Sequence, residues 1–180
     1  MTNLVRRYVV AGLSAGAVIF GYLPAMAAGK ETFKLEEASI ADIQQAVDSG
    51  ALTYKQLVQM YLARIAAYED GGPKLNSIIT LNPDALKTAA ALDKERKTKG
   101  KRSVLHGIPV LLKDNVDTVD MPTTNGSVIL KDSIPPDDAH IAKALRDAGA
   151  IVLGKASMGE FAGGSYNTVK IGRASCRERV

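Results

Sequence analysis

Ile108-Pro109-Val110-Leu111-Leu112-Lys113 is an apolar run that ends abruptly on a lysine. A continuous run of this length, without polar alternation, predicts a strand buried on both faces. Ala150-Ile151-Val152-Leu153 repeats the pattern downstream. Between them Ile141, Ala144, Leu145 and Ala148 are spaced for one face of a helix, with Asp137 or Asp138 placed to cap its start and Gly149 to stop it. The segment from Asp114 to Pro136 has no sustained period and reads mostly as loop. Strand, helix, strand is a βαβ unit with parallel strands, which sets the class as α/β. Past Leu153, Ser157 with Glu160 predicts a capping box that opens one more helix.

Upstream of the first strand the period changes to that of helices. Ser39 is a cap for a helix with Ile40, Ile43 and Val47 on one face, ended at Gly50. Thr53 and Gln56 form a capping box for a second helix, whose stripe is Leu57, Val58, Tyr61, Leu62 and Ile65. Gly71-Gly72-Pro73 ends it, and Ser77 to Leu81 carries the β-branched run of a short strand. Asn82 and Pro83 open a third helix reaching about Arg96, with Ala85, Ala89 and Leu92 inward and a basic turn from Lys97 to Arg102 closing it. The predicted architecture is a sheet covered by helices, with a helical N-terminal layer.

The net charge of +4 sits at the two ends of the 180-residue chain: residues 28–170 are neutral overall. A neutral middle with mixed signs lacks the basic stripe that a nucleic-acid partner requires. At the start, Arg6 and Arg7 precede an apolar stretch from Tyr8 to Leu23, and Ala25-Met26-Ala27 supplies small residues before Ala28. This predicts a signal peptide over residues 1–27, cleaved before Ala28, and an exported protein, periplasmic or extracellular. The stretch falls short of the roughly 20 residues that span a bilayer, so no stable membrane anchor is expected after cleavage. The paired arginines leave both the general and the twin-arginine export routes open. At the other end, residues 171–180 (Ile171-Gly172-Arg173-Ala174-Ser175-Cys176-Arg177-Glu178-Arg179-Val180) resemble the translation of a short-read sequencing adapter and are set aside as foreign to the fold. Cys176, the single cysteine, lies in that tail, so residues 28–170 hold neither a disulfide nor a thiolate metal ligand.

Lys113 stands out because ligands of open α/β sheets gather beyond the carboxyl ends of the strands. One reading is a solvated lysine paired with Asp114 or Asp117. The other is an enclosed amine, whose charged form desolvation disfavours and which can act as a general base. Strand alternation points Lys113 away from Leu112 and Asp114.

Two blocks carry a resemblance. Leu105-His106-Gly107-Ile108-Pro109-Val110-Leu111-Leu112-Lys113-Asp114-Asn115-Val116-Asp117-Thr118 is followed by Met121-Pro122-Thr123-Thr124-Asn125-Gly126-Ser127. Asp147-Ala148-Gly149-Ala150-Ile151-Val152-Leu153-Gly154-Lys155 and Met158-Gly159-Glu160-Phe161-Ala162 come after at the expected distance. Together they resemble the amidase signature family, from about Ile40 to Lys170. The resemblance implies the N-terminal part of that family's α/β fold, truncated, a mixed sheet covered by helices over residues 28–170. It also implies carboxamide hydrolysis by a Ser, cis-Ser, Lys triad in which Lys113 is the base.

The family's two serines lie in a later Gly-Gly-Ser-Ser-Gly-Gly-Ser-like loop, and these 180 residues contain no such loop. The chain by itself is therefore expected to be inactive. Gly163-Gly164-Ser165 precedes that loop in the family order, so Ser165 is a candidate pocket residue, not the nucleophile; a structural turn is the plainer reading. His106 and His140 lie far apart with no carboxylate cluster, so no metal is expected. No cofactor is expected either, since no glycine pattern cradling a phosphate opens a helix. The implied partner is a small-molecule or peptide-like amide substrate, with oligomeric state undetermined. Two other readings compete. One is the amidase-like component of a glutamyl-tRNA amidotransferase, at odds with an export signal; the other is a non-catalytic exported binding domain, favoured if the reading frame truly ends at Val180 and Lys113 projects into solvent.

Overall fold

The computed structural model describes residues 33–69, 71–163, 166–169 and 172–173. The expected signal peptide lies outside the described residues, as does the terminal decapeptide apart from Gly172 and Arg173. In chain order the elements are α1 (Ile40–Asp48), α2 (Tyr54–Glu69), β1 (Ile78–Leu81), α3 (Ala85–Lys99), β2 (Pro109–Lys113), α4 (His140–Asp147), β3 (Ile151–Ala156), β4 (Tyr166–Asn167) and β5 (Gly172–Arg173). No helix among the described residues is long and apolar enough to cross a membrane.

Local chemistry fixes the N-terminal helices. Ser39 Oγ accepts from Asp42 N at 3.2 Å while Asp42 Oδ2 accepts from Ser39 N at 2.9 Å. The same reciprocal box joins Thr53 and Gln56 at the start of α2. These bonds satisfy backbone donors that a helix start otherwise leaves open. α3 runs past Arg96 to Lys99, because its basic residues Arg96, Lys97 and Lys99 occupy the last turn, where cations favour the helix dipole.

β3 is the centre of a three-stranded sheet ordered β1-β3-β2, antiparallel to β1 and parallel to β2. The parallel pair with α4 between is the expected βαβ unit. Ile151 and Leu153 pack with Tyr54, Val58, Ala85, Ala89 and Leu92 of α2 and α3. On the opposite face Val152 packs with Leu112, Met121 and Ala142 of α4. Each large aliphatic side chain so buried contributes about 1.5–3 kcal/mol.

Four expectations need correction. First, the run from Ile108 to Leu112 is not a strand buried on both faces: Leu112 is buried, but Leu111 is 45% exposed. β2 is the edge of the sheet, and β3 alone is covered on both sides. Second, neither Asp137 nor Asp138 caps α4, whose N-cap is Ala139 without a side-chain bond. Asp138 instead accepts from Val119 N at 3.0 Å and pairs with Arg146. Third, Ile141 is exposed and Ala142 is the residue turned inward. Fourth, Ser157 and Glu160 make no capping box. Only a 3-10 turn, Glu160–Ala162, forms there, because Phe161 and Ala162 have φ of 48° and 59°, a left-handed backbone that cannot continue an α-helix.

β3 also extends through Ala156, beyond the expected Leu153. The register slips between Val110↔Val152 and Leu111↔Gly154, leaving Leu153 as an extra residue. Such a bulge changes which side chains share a face. Lys155 pairs with Leu112, so it lies on the α4 side of the sheet with Val152.

Candidate active site

The carboxyl end of β2 delivers Lys113 to the sheet margin. Leu112 and Asp114 are buried and Lys113 is exposed, the alternation expected of a strand. Lys113 pairs with Ala156, and Asp114 N donates to Ala156 O at 3.1 Å. The Lys113 amine donates to the carbonyl of Ser157. Among the described residues it makes no ion pair, so the expected partnership with Asp114 or Asp117 does not form. Nor do these residues enclose the amine.

Asp114 is unavailable because it is turned inward and fully buried. Its carboxylate accepts from the Thr124 hydroxyl, from Gly126 N at 3.0 Å and from Thr124 N at 3.4 Å. Its backbone carbonyl accepts from Asn125 N at 3.2 Å. These bonds fold the loop after β2 back over its own origin. Gly126 has φ of 72°, and a Cβ there would stand 2.7 Å from Met158 O, so the loop approaches the segment after β3 as only glycine allows. The contact continues through Phe161 N, which donates to Asn125 O at 2.8 Å, and Thr168 N, which donates to Gly126 O at 2.8 Å. Ser127 is fully buried, and its hydroxyl has no hydrogen-bond partner in the described structure.

On the other face of the sheet, Lys155 is fully buried. Its ammonium donates to Val116 O at 2.6 Å, Thr123 Oγ1 at 2.9 Å and Pro122 O at 3.4 Å. Burial pushes its pKa down, and the negative charges of Asp114, Asp117, Asp120 and Asp138 oppose that shift. Arg146 bridges Asp120 and Asp138, which ties α4 to the same loop.

The two histidines do not meet. His106 is buried edge-on to Tyr54, with Nδ1 accepting from Arg102 N at 3.2 Å and Nε2 3.1 Å from Leu92 O. His140 is exposed at the start of α4. Among the described residues no three His, Cys, Asp or Glu side chains gather as metal ligands. Ser165 lies outside the described residues. Sequence reasoning passed over Lys155 and gave Asp114 only a surface pairing. The signal for Lys155 was a cation directly after an apolar strand; none marked the inward turn of Asp114.

Residues 56–173 match the family described as Amidase. The chain belongs to the amidase family. Among curated members, it is 46% identical over 134 residues to a protein of Arabidopsis thaliana named a probable amidase, covering 73% of this chain and 26% of the relative. It is 45% identical over 133 residues to a glutamyl-tRNA(Gln) amidotransferase component of Alkaliphilus metalliredigens, covering 73% and 26%. Among solved amidase structures, native peptide amidase from Stenotrophomonas maltophilia superposes with a TM-score of 0.68 at 48% identity, covering 71% of this chain and 26% of that one. The chain thus spans about a quarter of the length of the amidases it matches. The expected class, a mixed sheet covered by helices that forms part of the amidase-signature fold, is borne out.

Proposed function

We propose that this segment supplies the general base of an exported carboxamide hydrolase whose remaining residues carry the nucleophile. The observation that carries the reading is Lys113. It ends the edge strand of the parallel pair, its amine is oriented by a neutral carbonyl and makes no ion pair among the described residues, and it falls within the matched region. A lysine becomes a general base where enclosure disfavours its charged form, and in this reading the residues beyond the segment supply that enclosure. In this scheme Lys113 takes the proton of a bridging serine as that serine takes the proton of the nucleophilic serine. The nucleophile's oxygen bonds to the amide carbonyl carbon, the C–N bond breaks, and the leaving nitrogen receives a proton passed back through the bridging serine. Water then hydrolyses the acyl-enzyme by the same relay. The rest of the domain encloses Lys113 and supplies the oxyanion hole. The 180-residue chain alone is inactive, because base, nucleophile and oxyanion donors act as a unit.

Similarity to a peptide amidase supports a peptide-like amide as substrate. The nearly equal identity to an amidotransferase component favours a second reading, ammonia transfer to a charged tRNA. An export signal over residues 1–27 argues against that reading, and N-terminal sequencing of exported protein should find Ala28 first. In the full-length protein, Lys113→Ala should lower hydrolysis by about 10⁴-fold or more while the fold persists, on the scale of losing one member of a catalytic triad. Lys113→Arg should fail equally, since a guanidinium keeps its proton. Wild-type rates for Lys113→Arg would place the base elsewhere.

A further inference from the structure

Hydrolysis as proposed leaves the buried Lys155 without a task. Fully buried lysines are rare, because an ammonium removed from water is costly unless its protons find acceptors. Lys155 has 0% exposure and three acceptors, and all three lie on the loop that leaves the sheet at Lys113. Val116 O is near the start of that loop; Pro122 O and Thr123 Oγ1 are at its return. The backbone just beyond Lys155 holds the base itself: Ala156 pairs with Lys113 and accepts from Asp114 N, and Ser157 O accepts from the Lys113 amine. One short stretch of β3 therefore grips Lys113 through its backbone and the following loop through its side chain.

The bulge at Leu153 makes this possible. Under unbroken strand alternation Lys155 would share a face with Ile151 and Leu153, which pack against α2 and α3. Apolar packing gives no reason for a cation, since its neighbours on the α4 face are Leu112 and Val152. Burial disfavours the charge, and the aspartates around the loop restore it in part.

We propose that Lys155 is a positioning residue of the hydrolytic site, its buried ammonium tying residues 116–123 to the end of β3 and so fixing where Lys113 leaves the sheet. The inference rests on the reading of Lys113 as base. A reacting group displaced by about 1 Å can lose ~10²-fold in rate, which sets the expected effect.

The test is kinetic, in the full-length enzyme. Lys155→Met keeps the length of the side chain and removes the ammonium; kcat should fall about 100-fold with KM within about twofold of wild type. Val152→Ala, a core truncation on the same strand and face, serves as the stability control and should lower the melting temperature while keeping wild-type kcat. A merely structural lysine would behave like Val152→Ala, and wild-type kcat in folded Lys155→Met, or an equal fall in Val152→Ala, overturns the proposal. If Lys155→Met does not fold, Thr123→Val decides, since it removes one acceptor at nearly constant volume. There a fall in kcat of about 3–10-fold at unchanged KM supports the role, and unchanged kcat overturns it. Lys113→Ala in the same assay keeps the two readings apart: activity surviving in it defeats the base, whereas a dead Lys113→Ala beside a fully active Lys155→Met defeats only the positioning role.

Discussion

Asp114→Asn is nearly isosteric, so its cost isolates the carboxylate that folds the loop beside Lys113. Asp114 Oδ2 accepts from the Thr124 hydroxyl and from Gly126 N, and Oδ1 accepts from Thr124 N at 3.4 Å. An asparagine oxygen can replace one carboxylate oxygen but not both. With that oxygen in the Oδ2 position, two bonds lose their charge assistance, about 1 kcal/mol each. The new amide NH2 then faces Thr124 N–H, donor against donor in a site with no exposure, which costs about 1–3 kcal/mol. The sum is about 3–5 kcal/mol. Urea denaturation of the full-length protein should show it as a lowered midpoint at unchanged slope. Thr124→Val should couple to Asp114→Asn in a double-mutant cycle by about 1 kcal/mol or more, because the two side chains share a bond. A loss under about 1 kcal/mol for Asp114→Asn would refute the assignment of Asp114 as the anchor of this loop.

Gly107→Ala should be among the most destabilising small substitutions. Gly107 has φ of 78°, and a Cβ there would come within 2.2 Å of the ring of Tyr54, which is fully buried. Left-handed strain and overpacking together predict about 3 kcal/mol or more, readable as a lowered melting temperature. Glu95 is held below its ordinary carboxylate pKa by hydrogen bonds from Arg102, at 2.6 and 2.7 Å. A carboxyl with a depressed folded pKa stabilises the fold above its unfolded value and loses that contribution as pH falls through the folded one. Glu95→Gln should therefore flatten the acid side of the stability profile below about pH 4.5, the ordinary value for this group. An unchanged acid limb in melting curves would count against the pairing.

Much of the fold was legible because local chemistry agreed with the tertiary result. The capping boxes at Ser39 and Thr53, the inward set Ala85, Ala89 and Leu92, and the two apolar strands around one helix each follow from short-range rules. The misreadings share a cause. Asp138 could have capped α4, but Val119 N and Arg146, distant in sequence, offered better partners. Ser157 and Glu160 had the spacing of a box, but left-handed Phe161 and Ala162 turned the chain away.

The class, the order of the elements from α1 to β3, the family resemblance and the place of Lys113 at a strand end were all legible in the sequence, since periodicity, capping residues and motif spacing are properties of neighbouring residues. That β2 is an edge, that Asp114 turns inward to Thr124 and Gly126, and that Lys155 reaches the loop after Lys113 emerge only in the folded chain. Strand order, a one-residue bulge at Leu153 and hydrogen bonds between segments far apart in the chain depend on which surfaces meet after folding. No local pattern encodes those meetings.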